Sequence, residues 1–269
     1  MSGTAPAAAP STELVHTETV DGIGILTLSD PHKRNALSST MLQQMRDALA
    51  SFAAAKLRVV IVTDDPDARV FSAGHNIAEL STTSDPLGYA EPLELTLRAV
   101  RAYPGPVIAM IHGTVWGGAF DLVCSCDMII ADETATFAIT PANLGLPYNT
   151  AGLLHFLSRL PLNLIKEMFF TATPVVAQQA LDWHIINHLV PAAQLRDFTL
   201  DFARKIVPKA PMSIAVVKEQ LRVLTDEHAV SSEAAERIAS LRAAVWASQD
   251  MKEGIAAFFE KRKPNFQGQ

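Results

Sequence analysis

Along the first half of the chain, short apolar runs alternate with stretches in which apolar residues recur every three or four positions. The runs at 13–20 and 22–28 flank Asp21-Gly22, a dipeptide suited to a tight hairpin, and predict two antiparallel strands. Residues 58–63, RVVIVT, are apolar and β-branched without alternation, the signature of a strand covered on both faces. Residues 107–111 and 127–131 predict further strands of that kind. Met41, Leu42, Met45, Leu49 and Phe52 follow helical spacing, and Ser38 or Ser39 can cap the helix they predict. A second helix is predicted around 88–102, and a short one opens at the glycines near 117 and runs through Leu122. Residues 64–87 predict a long polar loop, interrupted by the compact FSAGHNI at 71–77.

After Phe137 the spacing turns mostly helical, predicting helices at 150–158, 162–170, 174–181, 191–207, 211–224, 231–247 and 250–261. Pro161, Pro174, Pro191 and Pro211 sit at or near their starts, where proline is tolerated. The expected fold class is therefore α/β, with a helical C-terminal region. No sequence repeat of fixed period is visible, although the alternation leaves room for a structural one. Residues 1–12 read as an Ala/Pro-rich disordered leader, 13–200 as the α/β core and 201–269 as a helical region packed on the core or on a neighbouring subunit.

A chain of 269 residues suits one large domain, or one domain with an appendage. Its net charge of −6 gives no electrostatic footprint for nucleic acid, so an anionic ligand must be held by a local basic cluster. Cys124 and Cys126 are too close for an ordinary bridge and lie in an apolar stretch; buried free thiols suit a reducing compartment. There is no run of about 18 apolar residues and no signal-like N-terminus, so a cytoplasmic protein that does not span a membrane is expected.

Candidate chemistry centres on two glycine corners, SAGHN at 72–76 and WGGAFD at 116–121. They are either two unrelated turns or, if they meet in space, two backbone N–H groups converging on one oxygen. KRNAL (33–37), FSAGHNI (71–77), HGTVWGGAFDL (112–122), SCDMIIA (125–131), FAITPANLG (137–145) and FFEKRKPNF (258–266) together resemble the crotonase, or enoyl-CoA hydratase/isomerase, superfamily. The resemblance covers essentially the whole chain after the leader. It implies a crotonase-like spiral of ββα units with a helical C-terminal trimerisation region, homotrimers often paired into hexamers, and an acyl-CoA substrate. It places the two oxyanion-hole amides on His75 and Gly118.

The hydratase pattern needs two carboxylates, one to activate water and one to protonate carbon. The first position holds Asp121, one methylene shorter than the usual Glu, and the second holds Pro141, which can do no acid–base work. SAGHNI, DPLGY, VWGGAF, TPANLGLPYN and EKRKPNF resemble more closely the branch that decarboxylates methylmalonyl-CoA, with Tyr148 orienting the departing carboxylate. Asn76 departs from the family's usual Asp. Hydration or isomerisation relying on Asp121, and non-catalytic binding of an acyl-CoA, remain the alternatives. The same resemblance implies coenzyme A contacts from Lys33, Arg34, Ala36, Ala73, Phe258 and Lys261, with Arg262 and Lys263 beside the last. It implies no metal, biotin or nucleotide cofactor. Trp116 is expected to pack, and His16, His112, His155, His184, His188 and His228 to be unpaired and structural or exposed.

Overall fold

The computed structural model describes residues 13–79, 88–226 and 231–268; the expected leader, His228 and part of DPLGY lie outside them. Strands β1 (Val15–Val20) and β2 (Ile23–Leu28) form an antiparallel hairpin. Asp21 and Gly22 both take positive φ at the turn, 51° and 79°, the pairing such a two-residue connection demands. β2 then pairs in parallel with β3 (Val59–Asp64), followed by β5 (Val107–Ile111), β7 (Met128–Asp132) and β10 (His188–Val190). These make one six-stranded sheet.

The predicted run without alternation is explained by burial on both faces. Ile23, Ile25, Val59, Ile61, Ile108, Met110 and Ile130 face α7 (Leu195–Ile206), meeting Leu195, Leu200 and Ala203. Their neighbours Leu26, Leu28, Val60, Val62, Ala109 and Ile129 face the other way, into the larger core. α7 thus spans the expected border at residue 200 and packs on the sheet.

A second sheet, which the sequence reading did not anticipate, runs β4 (Val70–Ser72), β6 (Thr114–Trp116), β8 (Thr136–Ala138) and β9 (Val175–Val176). Each turn of the chain places one strand in the large sheet, the next in the small one, and then a helix. β3 and β4 lead to α2 (Pro92–Ala102), β5 and β6 to α3 (Gly118–Ser125), and β7 and β8 to α4 (Thr150–Leu157). The first turn is abbreviated: after β2, a single parallel bridge from Leu37 to His75 stands in for the small-sheet strand before α1 (Ser39–Ala54). The repeat is structural rather than sequential.

α1 starts as predicted, with the Ser38 side chain accepting from the Met41 amide and all five predicted apolar positions buried. The C-terminal half departs from the all-helical expectation in two places. Val175 and Val176 pair with β8 before α6 (Ala177–Asp182), and 188–190 is β10; the helix predicted over 191–207 then begins at Leu195, after a 3-10 turn at Ala192–Gln194. Both departures arise because tertiary strand pairing overrides local apolar spacing. α5 (Leu162–Thr171), α8 (Pro211–Asp226), α9 (Ser232–Trp246) and α10 (Gln249–Phe259) complete the fold.

Candidate active site

The two glycine corners meet. Leu37 donates to the Gly74 carbonyl and accepts from the Asn76 amide, at 2.8 and 3.3 Å. In a parallel bridge that pattern turns the intervening N–H, that of His75, to the opposite side. There it faces the start of α3: a Cβ added to Gly118 would lie 3.5 Å from the His75 nitrogen. Gly118 is the first residue of that helix, whose opening N–H groups have no intrahelical acceptor. Gly117 precedes it with φ 56° and ψ −124°, backbone that glycine alone adopts without strain. Among the described residues neither the His75 nor the Gly118 amide has a main-chain acceptor.

Close approach of the corners also depends on Gly74. A Cβ there would stand 2.4 Å from the Trp116 carbonyl oxygen and 3.1 Å from the Gly118 nitrogen, and φ is +89°. The adjacent glycines of the second corner thus serve backbone approach and presentation rather than helix stability. Trp116, expected to pack, is instead exposed at the end of the three-residue strand β6.

The amides open on a cleft of about 70 Å³ lined by Ala73, His75, Ile77, Gly117, Gly118, Thr140, Pro141, Leu144, Leu146, Tyr148 and Trp246. Burial holds the His75 imidazole below its usual pKa, opposed in part by the charge of Glu79, so the ring is neutral at pH 7. Its Nδ1 is buried without a partner, as is Nε1 of Trp246 in the same lining. Trp246 brings α9 into the site, a contribution absent from the sequence reading.

Tyr148 rests edge-on against Phe156 and Phe169, with ring centroids 5.9 and 5.1 Å away. Its hydroxyl donates to Asp121 Oδ2 at 2.8 Å. Burial first, then the Asp121 carboxylate, lifts the phenol well above its ordinary pKa, so it stays protonated. Asp121 is 2 % exposed and sits behind Tyr148, off the cleft wall. Its second oxygen meets Nδ1 of His155 at 2.7 Å, and His155 is buried as well. His155 is therefore paired, against the expectation, as are His112 with Asp64 and His16 with Glu13. Glu94, buried alongside, is pushed up by desolvation, with His155 opposing and Asp121 reinforcing the shift.

Of the residues expected to hold coenzyme A, Lys33, Arg34, Ala36 and Ala73 fall in two adjoining loops. The Ala73 amide donates to the Arg34 carbonyl at 3.0 Å, and the buried Asn35 side chain clamps both strands of the turn through Asp30 N and Phe71 O. Phe258 and Lys261 are exposed at the end of α10, outside the cleft's lining. α10 itself packs on the turn at 141–144, so closely that a Cβ on Gly254 would strike the Leu144 carbonyl at 2.3 Å. Arg262 is committed within the chain, to Glu253 and Glu260. Among the described residues no group of three or more His, Cys, Asp and Glu could hold a metal ion.

Sequence reasoning missed His155, Gly152, Thr140 and Trp246. The one available signal was His155 itself, a polar residue inside the apolar run LLHFL, which burial obliges to find a partner.

Two opposed backbone amides over an apolar cleft, on a spiral of ββα turns, define a class. Residues 18–269 match the model of the enoyl-CoA hydratase/isomerase family, and the chain belongs to that family and has its crotonase fold. Methylmalonyl-CoA decarboxylase of Escherichia coli K12 is 43 % identical over 259 residues, covering 96 % of this chain and 99 % of that protein. A solved structure of methylmalonyl-CoA decarboxylase in complex with 2-nitronate-propionyl-CoA matches with a TM-score of 0.94, at 43 % identity over 96 % of this chain and 99 % of that one. Human enoyl-CoA hydratase domain-containing protein 3, mitochondrial, is 35 % identical over 255 residues, covering 91 % of this chain and 80 % of that protein.

Proposed function

We propose that the protein is a carboxy-lyase that converts methylmalonyl-CoA to propionyl-CoA and CO₂, through a thioester enolate held by the amides of His75 and Gly118. The observation that carries this reading is the pair of unengaged amides converging on a cleft whose other walls offer no free carboxylate. The 43 % identity to the E. coli decarboxylase over nearly the full chain supports it over hydration.

The chemistry asks little of side chains. Thioester binding puts the carbonyl oxygen against the two amides, and the dipole of α3 adds its positive end. The bond to the carboxylate, held perpendicular to the carbonyl plane, breaks; its electron pair passes to the thioester oxygen, and CO₂ leaves. The enolate then takes one proton at carbon. Apolar walls formed by Ile77, Pro141, Leu144 and Leu146 disfavour the charged carboxylate in the ground state. Tyr148 orients that group from its edge: its one hydroxyl hydrogen goes to Asp121, so the oxygen turns lone pairs toward the carboxylate and directs it by repulsion. Asp121 is given no part as a hydratase base in this reading: both its oxygens are hydrogen-bonded within the protein and it does not line the cleft. The reaction so written calls on no metal or organic cofactor.

Purified protein offered malonyl-, methylmalonyl- and crotonyl-CoA, with products read by mass spectrometry, tests the reading. Propionyl-CoA release from methylmalonyl-CoA, sharply reduced by Tyr148→Phe, is the expected result. Turnover untouched by Tyr148→Phe removes the role given to that side chain. Hydration of crotonyl-CoA, or saturable binding with no turnover, overturns the reaction.

Coenzyme A is seated in this reading by Lys33 and Arg34 at the ADP phosphates and by Ala36 and Ala73 at the adenine, with Phe258 and Lys261 of the same or a neighbouring subunit closing over it. The proposed assembly is a homotrimer, or a hexamer of paired trimers, formed through the helical region 201–269. Support comes from the apolar residues that α8 and α9 leave exposed, Met212 at 82 %, Leu224 at 71 % and Leu241 at 59 % among them. No helix among the described residues is long and apolar enough to cross a membrane, and the free thiols Cys124 and Cys126 are buried. Both fit a cytoplasmic enzyme.

A further inference from the structure

Asp121 is out of reach of a substrate, yet it is the group that fixes where the Tyr148 hydroxyl stands. A carboxylate on a single-methylene stem swings about its own axis unless both oxygens are held. Tyr148 holds Oδ2 at 2.8 Å and His155 holds Oδ1 at 2.7 Å. A carboxylate that accepts from both has no proton to give, so the Nδ1 of His155 carries the hydrogen whichever charge the ring bears. The imidazole belongs to α4, whose N-cap Asn149 follows Tyr148 directly and accepts from the Gly152 amide at 3.1 Å. One rigid segment, 148–155, therefore supplies both donors to Asp121. Facing the pair are Glu94 from α2, with Arg98 3.8 Å from its carboxylate, and the thiol of Cys124 from α3. Within this buried set, His155 is the side chain hydrogen-bonded to Asp121 Oδ1.

We propose that His155 is a positioning residue for decarboxylation: by donating from Nδ1 to Asp121 Oδ1, it fixes the carboxylate that in turn holds the Tyr148 hydroxyl at the cleft. This rests on the reading of Tyr148 and of the reaction given above. The hydroxyl acts on a carboxylate whose bond must stand perpendicular to the thioester plane, and a misplacement of about 1 Å is worth on the order of 100-fold in rate.

The experiment compares methylmalonyl-CoA turnover by wild type, His155→Leu, His155→Asn and the Tyr148→Phe/His155→Leu double variant. His155→Leu is expected to lower kcat on the order of 10- to 100-fold while KM stays within about 2-fold. His155→Asn places an amide N–H where Nδ1 was and is expected to recover most of the loss. The double variant is expected to be no slower than Tyr148→Phe alone, because the two residues act through one hydroxyl. Should His155→Leu not fold, His155→Gln keeps the amide but carries the donor one bond past Asp121, and a fall in kcat without a fall in thermal midpoint is expected of it. Wild-type kcat in His155→Leu or His155→Gln overturns the proposal. So does a loss that Asn does not restore and that adds in full to Tyr148→Phe. If wild type itself releases no CO₂, the reading of the reaction falls and the role of His155 with it; if wild type turns over, only the His155 results decide.

Discussion

Gly152→Ala probes the support behind Tyr148. Gly152 is buried in the first turn of α4, where alanine is ordinarily the better residue by about 1 kcal/mol. Here the new Cβ would stand 2.4 Å from Cε1 of Tyr148, 2.4 Å from Oδ1 of Asn149 and 2.8 Å from Oδ2 of Asp121. Ordinary contact begins near 3.4 Å, so the tyrosine ring and the cap must each give way by about 1 Å. Asn149 can rotate aside, forfeiting the α4 cap at about 1 kcal/mol, which cancels the gain in helix propensity. Tyr148 is bounded on its far side by Phe156 and Phe169, so its displacement carries the usual overpacking penalty of about 1–3 kcal/mol. The net expectation is a destabilisation of about 1–3 kcal/mol, a fall in thermal midpoint of roughly 3–10 °C for a chain of this size. The rate constant for decarboxylation should fall on the order of 100-fold, because the hydroxyl moves with the ring. Circular-dichroism melting and steady-state turnover read the two effects separately. A variant that melts at or above wild type with unchanged kcat refutes the packing described here. A lower midpoint with unchanged kcat refutes the importance of the tyrosine's position.

Two other perturbations have definite signs. Asp64 is buried at the end of β3, with Nδ1 of His112 at 3.2 Å, and its carboxyl is pushed up to about 8, chiefly by burial, against its own backbone hydrogen bond. An acid whose folded pKa exceeds its unfolded value of 3.8 is neutral in both states below that value and disfavours the folded state increasingly as pH rises toward about 8. Asp64→Asn should therefore match wild type near pH 4 and exceed it by several kcal/mol at pH 8, about 6 at the upper bound, in urea unfolding across that range. A gap independent of pH refutes it. Trp246→Phe removes an indole N–H that is buried without a partner on the cleft wall. The expected result is a KM for methylmalonyl-CoA raised several-fold, about 1 kcal/mol, with the thermal midpoint held; an unchanged KM means the substrate does not use that donor.

The legible part of this fold is the part with local causes. The Ser38 cap, the Asp21-Gly22 turn and the helical spacing of Met41 to Phe52 each depend on residues a few positions apart. So do the doubly buried strands, because lack of alternation is itself the signal. The small sheet was illegible because its strands run to three residues or two, too short for any period to show, and they are specified by partners such as Thr136 for Thr114. The same division runs through the site. Glycine corners announce backbone that can lie bare, and they mark 72–76 and 116–121; the family resemblance then singles out His75 and Gly118 within them. The Asp121–His155 contact spans 34 positions and carries no local mark, so the sequence offers Asp121 as a possible base with nothing to show that Tyr148 and His155 engage both its oxygens.

That distinction bears on how one scaffold supports different reactions. The orientation of the two amides is set by a parallel bridge at Leu37 and by the first turn of α3, neither of which depends on the side chains that line the cleft. In the proposed reaction, stabilisation of charge on the thioester oxygen is thus left to the backbone, whose close approach rests on Gly74, Gly117 and Gly118. What the chain adds is a choice of proton traffic. A carboxylate at 141 would stand on the cleft wall and could serve a water molecule; proline there removes that option without disturbing the amides. A carboxylate at 121 is engaged on both oxygens, by Tyr148 and His155, and does not line the cleft. With no carboxylate among the residues that line the cleft, charge is built on the oxygen when the substrate brings its own electron pair, and a departing carboxylate is the group that does so.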